Sequence, residues 1–98
     1  MISIEIPDET LQRFCERYKI RRMALFGSAL RDDFRPDSDV DLLVVFEPSA
    51  RVTFMTLGSM KRELSNLFNR SVDIVPQAGL KPAIREEVIA SSKELYAA

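Results

Sequence analysis

Apolar residues recur along this chain with two different periods, and the switches between them predict its elements. Leu11, Phe14, Cys15 and Tyr18 fall at i, i+3, i+4 and i+7 behind Pro7, Asp8 and Glu9. The fixed φ of proline and the two negative charges suit a first helical turn, so residues 7 to 19 read as an amphipathic helix. Met23 to Phe26 is a short apolar run closed by Gly27-Ser28, which reads as a buried strand. Arg35-Pro36-Asp37-Ser38 marks a turn, with one helical turn expected before it over 29 to 33.

From Asp39 to Phe46 the period is two. Val40, Leu42, Val44 and Phe46 share one face, and Asp39, Asp41, Leu43 and Val45 the other. Because both faces of its second half are apolar, this strand is expected to be central and covered by helices on at least one side. Leu57, Met60, Leu64, Leu67 and Phe68 form a helical stripe over 53 to 68, a crossover helix in which Met55 and Met60 read as core filling. Val72 to Val75 is a further short strand stopped by Pro76. A last helix is expected from Pro82 to about Tyr96, with Ile84, Val88 and Leu95 among its buried positions. The sum is an α/β (α+β) fold in the order helix, strand, turn, strand, helix, strand, helix, with a small mixed sheet of about three strands flanked by helices.

The 98 residues fit one domain, 1–98, and leave no room for a second core. A domain of this size buries only about 60 to 70% of the surface of its unfolded chain, so an active site here is expected to be shallow or completed by a partner. Fourteen basic against fifteen acidic residues give a net charge of −1, which disfavours bulk nucleic-acid binding. Histidine is absent and Cys15 is the one cysteine, so zinc clusters, disulfide frameworks, Ser-His-Asp triads and Cys-His pairs cannot be built from this chain. The longest uncharged stretch, Val52 to Met60, is nine residues, about half of what spans a bilayer, and no basic-then-apolar segment opens the sequence. A cytoplasmic protein with no membrane association is the expectation.

The remaining chemistry belongs to carboxylates, hydroxyls and cations. Alternation sets Asp39 and Asp41 on one face with Cα atoms roughly 6.5 to 7 Å apart. Two ionised carboxylates so near repel each other unless a cation compensates. A strand that begins in solvent would also explain them, since Asp is a common turn residue. Asp73 shifts the balance, because a charge inside a second apolar strand has no packing role. If the two strands are neighbours, three carboxylates converge, an oxygen-only set suited to Mg²⁺ or Mn²⁺, of which two ions are the recurring clamp for attack at phosphorus. Gly27-Ser28 is either a plain turn or a backbone grip for phosphate oxygens, and Arg31 either a surface residue or a cationic arm toward the same anion. There is no Walker loop and no dinucleotide-binding glycine motif.

Leu25-Phe-Gly-Ser-Ala-Leu-Arg31, Ser38-Asp-Val-Asp-Leu-Leu-Val44 and Val72-Asp-Ile-Val75, with ten residues between Gly-Ser and Asp-x-Asp, together resemble the minimal nucleotidyltransferase (MNT) domains of the DNA polymerase beta-like superfamily. The resemblance covers about residues 20 to 76. It implies that Gly27 and Ser28 hold a triphosphate, that Asp39 and Asp41 ligate two Mg²⁺ ions, and that Asp73 completes the ion activating an acceptor hydroxyl. The implied reaction is transfer of a nucleoside monophosphate, AMP from ATP, to a hydroxyl. Asp32 and Leu30 stand where many relatives have Gly and Ala. Proteins of this family are often antitoxins to a HEPN-domain ribonuclease toxin, which implies such a partner; a homo-oligomer is also compatible with the sequence. Two other readings share the same residues: a non-catalytic antitoxin that masks its partner, and nucleotidyl transfer to a small molecule or an RNA end.

Overall fold

The computed structural model describes residues 7–27 and 39–98. Helix α1, Asp8–Arg17, starts on Pro7, carries Asp8 and Glu9 in its first turn and Arg17 in its last, and buries Leu11, Phe14 and Cys15. Charge at both ends therefore complements the helix dipole. Lys19, at φ 55°, turns the chain into strand β1, Ile20–Phe26. Strand β2 is Val40–Phe46, helix α2 Phe54–Phe68 and strand β3 Val72–Pro76. A 3₁₀ turn, Gln77–Gly79, leads to helix α3, Pro82–Ser91, and strand β4, Lys93–Ala97.

The sheet order is β3-β2-β1-β4. β1 runs antiparallel to both β2 and β4, while β2 and β3 are parallel across the α2 crossover. The central place of β2 is as the apolar patterning predicts, and the sheet is mixed, as expected for the fold. Val40, Leu42 and Val44 are buried against Phe14 and Cys15 of α1 and Met60 and Leu64 of α2, so both helices cover that face. The partners Ala24 and Leu43 are buried on the opposite face, which also carries Asp41. Glu63 of α2 accepts from Arg17 and from the Tyr18 hydroxyl, tying the two helices together. Burial and then that bond push the Tyr18 phenol up, which keeps it a donor.

α2 starts on a reciprocal cap, Thr53 and Thr56 each bonding the other's backbone N–H at 3.2 and 3.3 Å. Asn69 ends it in the left-handed conformation at φ 56°. A Cβ added at Gly58 meets nothing within 4 Å. Gly58→Ala is therefore expected to stabilise the fold by about 0.5 to 1 kcal/mol, through helix propensity alone. Denaturant titration checks this; a lower midpoint would mean that a neighbour occupies the space.

The C-terminal region departs from expectation. The last helix stops at Ser91, and Lys93–Ala97 is a fourth strand. The hydroxyls of Ser91 and Ser92 donate to the carbonyls of Val88 and Ile89, ending the helix locally. β1 would otherwise present an unpaired edge beside Met23 and Leu25, and β4 covers it. Arg22 Nε meets Glu94 Oε1 at 2.9 Å across the pair, and Ala98 N–H donates to the Arg21 carbonyl at 2.8 Å. Ile84 is exposed rather than buried, Val88 is half-buried, and Leu95 packs against the core from β4. Met60 fills the core as expected, whereas Met55 does not: it is 84% exposed. The expected turn over 29 to 38 lies outside the described residues.

Candidate functional site

Register assembles the site. β1 ends where β2 begins, pairing Phe26 with Asp41, and the parallel β2–β3 ladder sets Asp41 beside Asp73. Paired residues of a parallel ladder share a face, and neighbouring strands lie about 4.8 Å apart, so Asp41 and Asp73 are side-by-side on the face opposite α1 and α2. Asp39 immediately precedes β2, two residues before Asp41, and is exposed. Asp39 therefore lies just outside the central strand, and Asp41 within it.

Gly27 closes the group from the β1 side. It has φ +70°, and a Cβ built on it would lie 2.6 Å from Asp41 Oδ2, inside van der Waals contact. The left-handed backbone and the close approach of the carboxylate both demand glycine here. Sequence pattern identifies Gly27 as a turn; its role as the floor under the Asp41 carboxylate emerges only from the fold.

Asp73 shows how the carboxylates are balanced. Its side chain is 60% exposed, and Lys61 Nζ of α2 comes to 3.8 Å from Oδ1. Sequence reasoning does not find Lys61, because nothing in its helical context distinguishes it from any surface lysine. Among the described residues no three acidic or thiol side chains are drawn together closely enough to hold one metal ion. The parallel ladder brings Asp41 and Asp73 together, with Asp39 just outside β2, while Asp73 Oδ1 lies within reach of Lys61. Ser28 and Arg31, the other two expected site residues, lie outside the described residues, as does Asp32.

Thiol chemistry is excluded by burial. Cys15 has no exposed surface, and burial, with a smaller contribution from the Glu16 carboxylate, pushes its thiol up from 9.0 to about 12. The native protein is expected to resist iodoacetamide at pH 8 and to react at the rate of a free thiol once unfolded in urea; equal rates in both states would refute the burial. Because the folded state holds this proton more tightly, the associated stability is whole below pH 9 and falls as pH rises toward 12.

Among the described residues no helix is long and apolar enough to cross a membrane. Comparison with known proteins points one way. Residues 7–95 match the family model described as a nucleotidyltransferase domain. Protein adenylyltransferase MntA of Thermococcus cleftensis is 34% identical over 74 residues, covering 76% of this chain and 73% of that protein. A solved candidate minimal nucleotidyltransferase is 38% identical, with a TM-score of 0.74, covering 90% of this chain and 88% of its own. The MNT antitoxin complex with a tri-AMPylated HEPN toxin from Shewanella oneidensis shares the fold at a TM-score of 0.64 and 16% identity, covering 93% of this chain and 70% of that one.

Proposed function

The chain belongs to the nucleotidyltransferase domain family, and from that premise we propose that it is a protein adenylyltransferase: a single domain that acts in the cytoplasm, transferring AMP from ATP to a hydroxyl of a HEPN-domain toxin and so serving as its antitoxin. The observation that carries this reading is the pairing of Asp41 with Asp73 across adjacent parallel strands, beside the glycine on which the Asp41 carboxylate rests.

The donor set fits a divalent ion of the Mg²⁺ type. It is oxygen-only, two of its members are two residues apart at the mouth of one strand, and the third is the register partner of one of them. In this reading Asp39, Asp41 and Asp73 hold two Mg²⁺ ions. When bound, the ions supply charge neutralisation at the α-phosphate and lower the pKa of the acceptor hydroxyl. The chain's own part is positioning: Gly27 lets the backbone come close, Ser28 and Arg31 hold the triphosphate, and the mouth of β2 fixes Asp41 on a rigid strand. Lys61 neutralises Asp73 until its carboxylate is recruited; a flexible lysine on an exposed helix face can give way at little cost.

The test is incubation with a HEPN-domain partner protein, Mg²⁺ and ATP labelled at the α-phosphate. Label is expected in the partner and its transfer should stop with EDTA. No labelled partner with any nucleoside triphosphate would overturn the enzyme reading. The Lys61–Asp73 contact favours one second reading, a non-catalytic antitoxin that masks its partner. Under it, Asp39→Asn/Asp41→Asn protein would protect cells from the toxin as well as wild type does.

A further inference from the structure

At the opposite end of the sheet, where β1 begins and β2 ends, the surface has a different character. Ile20 pairs with Phe46 there, five residues along β2 from Asp41, or about 17 Å. A cavity of about 320 Å³ opens beside this point, lined by the cations Arg17, Lys19 and Arg51 and the hydroxyls of Ser49 and Thr56. Arg17 is paired with Glu63, but among the described residues neither Lys19 nor Arg51 enters an ion pair.

The adjoining start of α2 is apolar and uncovered. Phe54 is 94% exposed, Met55 84% and Val52 37%. Surface apolar residues occurring singly need no explanation, but an adjacent Phe and Met so fully in water mark a contact surface. The segment from Arg51 to Met60 contains Arg51 and no acidic residue. The first turn of α2 likewise lacks a carboxylate, so the positive end of its dipole adds to the basic field. Three independent features, exposed apolar side chains, a cationic cavity and a helix N-terminus, thus ask for the same complement: carboxylates next to apolar side chains.

We propose that this surface docks the partner protein through a segment that seats acidic side chains against Arg51 and Lys19 and lays an apolar side chain over Phe54 and Met55. The inference rests on the reading that the chain acts on a HEPN-domain partner, and that partner is the occupant. Docking at this end leaves the carboxylate end open, so the acceptor hydroxyl reaches it on a segment held at high effective concentration.

Binding and transfer are measured with the HEPN-domain protein, on wild type, Phe54→Asp/Met55→Asp, Arg51→Glu and Asp41→Asn. The first two variants should bind at least about 30-fold more weakly, as expected when central anchors are lost, and raise KM for the partner while KM for ATP and kcat at saturating partner stay unchanged. Arg51→Glu should also flatten the salt dependence of the wild-type complex. Asp41→Asn should bind as wild type and transfer at least about 10³-fold less. Unchanged thermal midpoints for the surface variants show that they fold. Folded variants that bind within twofold of wild type overturn the docking surface alone; a wild-type protein that does not bind the partner overturns the functional reading and this inference with it. A wild-type homodimer that Phe54→Asp/Met55→Asp dissociates would assign the surface to a second copy and overturn the proposal.

Discussion

If Asp41 holds the metal ions as proposed, Asp41→Asn is expected to reduce label transfer by about 10³-fold or more, because a carboxylate of a metal clamp contributes several kcal/mol to the barrier and each 1.4 kcal/mol is tenfold. The substitution preserves shape and removes only charge. Asp41 sits between the Gly27 backbone and the register position of Asp73. A second readout separates metal binding from turnover: Mg²⁺ with a non-hydrolysable ATP analogue should raise the wild-type midpoint by linkage and leave that of Asp41→Asn unmoved. Transfer near the wild-type rate, or an Mg²⁺ shift of normal size in the variant, would remove Asp41 from the site.

What sequence reveals of this fold depends on whether a local pattern or a distant neighbour decides each element. β2 is legible because a seven-residue run rich in β-branched residues, apolar on both faces of its second half and with its one acid at the second position, suits a covered central strand. The candidate site is legible as far as parity reaches: Asp39 and Asp41 are picked out by alternation, and Asp73 by its incongruity in an apolar strand. That Asp73 lies beside Asp41 needs β3 to be the parallel neighbour, which follows once α2 is read as a crossover. Lys61 lies beyond such reasoning, since only the packing of α2 against β3 brings it to that carboxylate. β4 was hidden for a different reason. Lys-Glu-Leu-Tyr-Ala is made largely of good helix formers, and the edge left open by β1 overrides their propensity. The local signal that could have found the break is Ser91-Ser92, whose hydroxyls close the helix. Met55 illustrates the limit of hydrophobicity without phase: at 100° per residue it lies roughly 140° from Met60, off the stripe that Leu57, Met60 and Leu64 define.

Gly27→Ala is expected to damage both stability and transfer, through two separable costs. Holding φ at +70° with a Cβ costs about 1 to 2 kcal/mol, which in a domain of this size lowers the thermal midpoint by roughly 5 to 15 °C. The same Cβ would stand 2.6 Å from Asp41 Oδ2, so the carboxylate must swing off its seat. A displacement on the order of 1 Å in a positioning site costs about 10²-fold in rate, and transfer should fall by that factor even under conditions where the variant is fully folded. A double-mutant cycle isolates the steric part. Asp41→Ala removes the colliding atom, so Gly27→Ala should destabilise the Asp41→Ala background less than it destabilises wild type, leaving only the backbone cost. Equal destabilisation in the two backgrounds would mean that the glycine serves the turn alone. The close approach of Asp41 would then be incidental to the site, and the rate loss would need another cause.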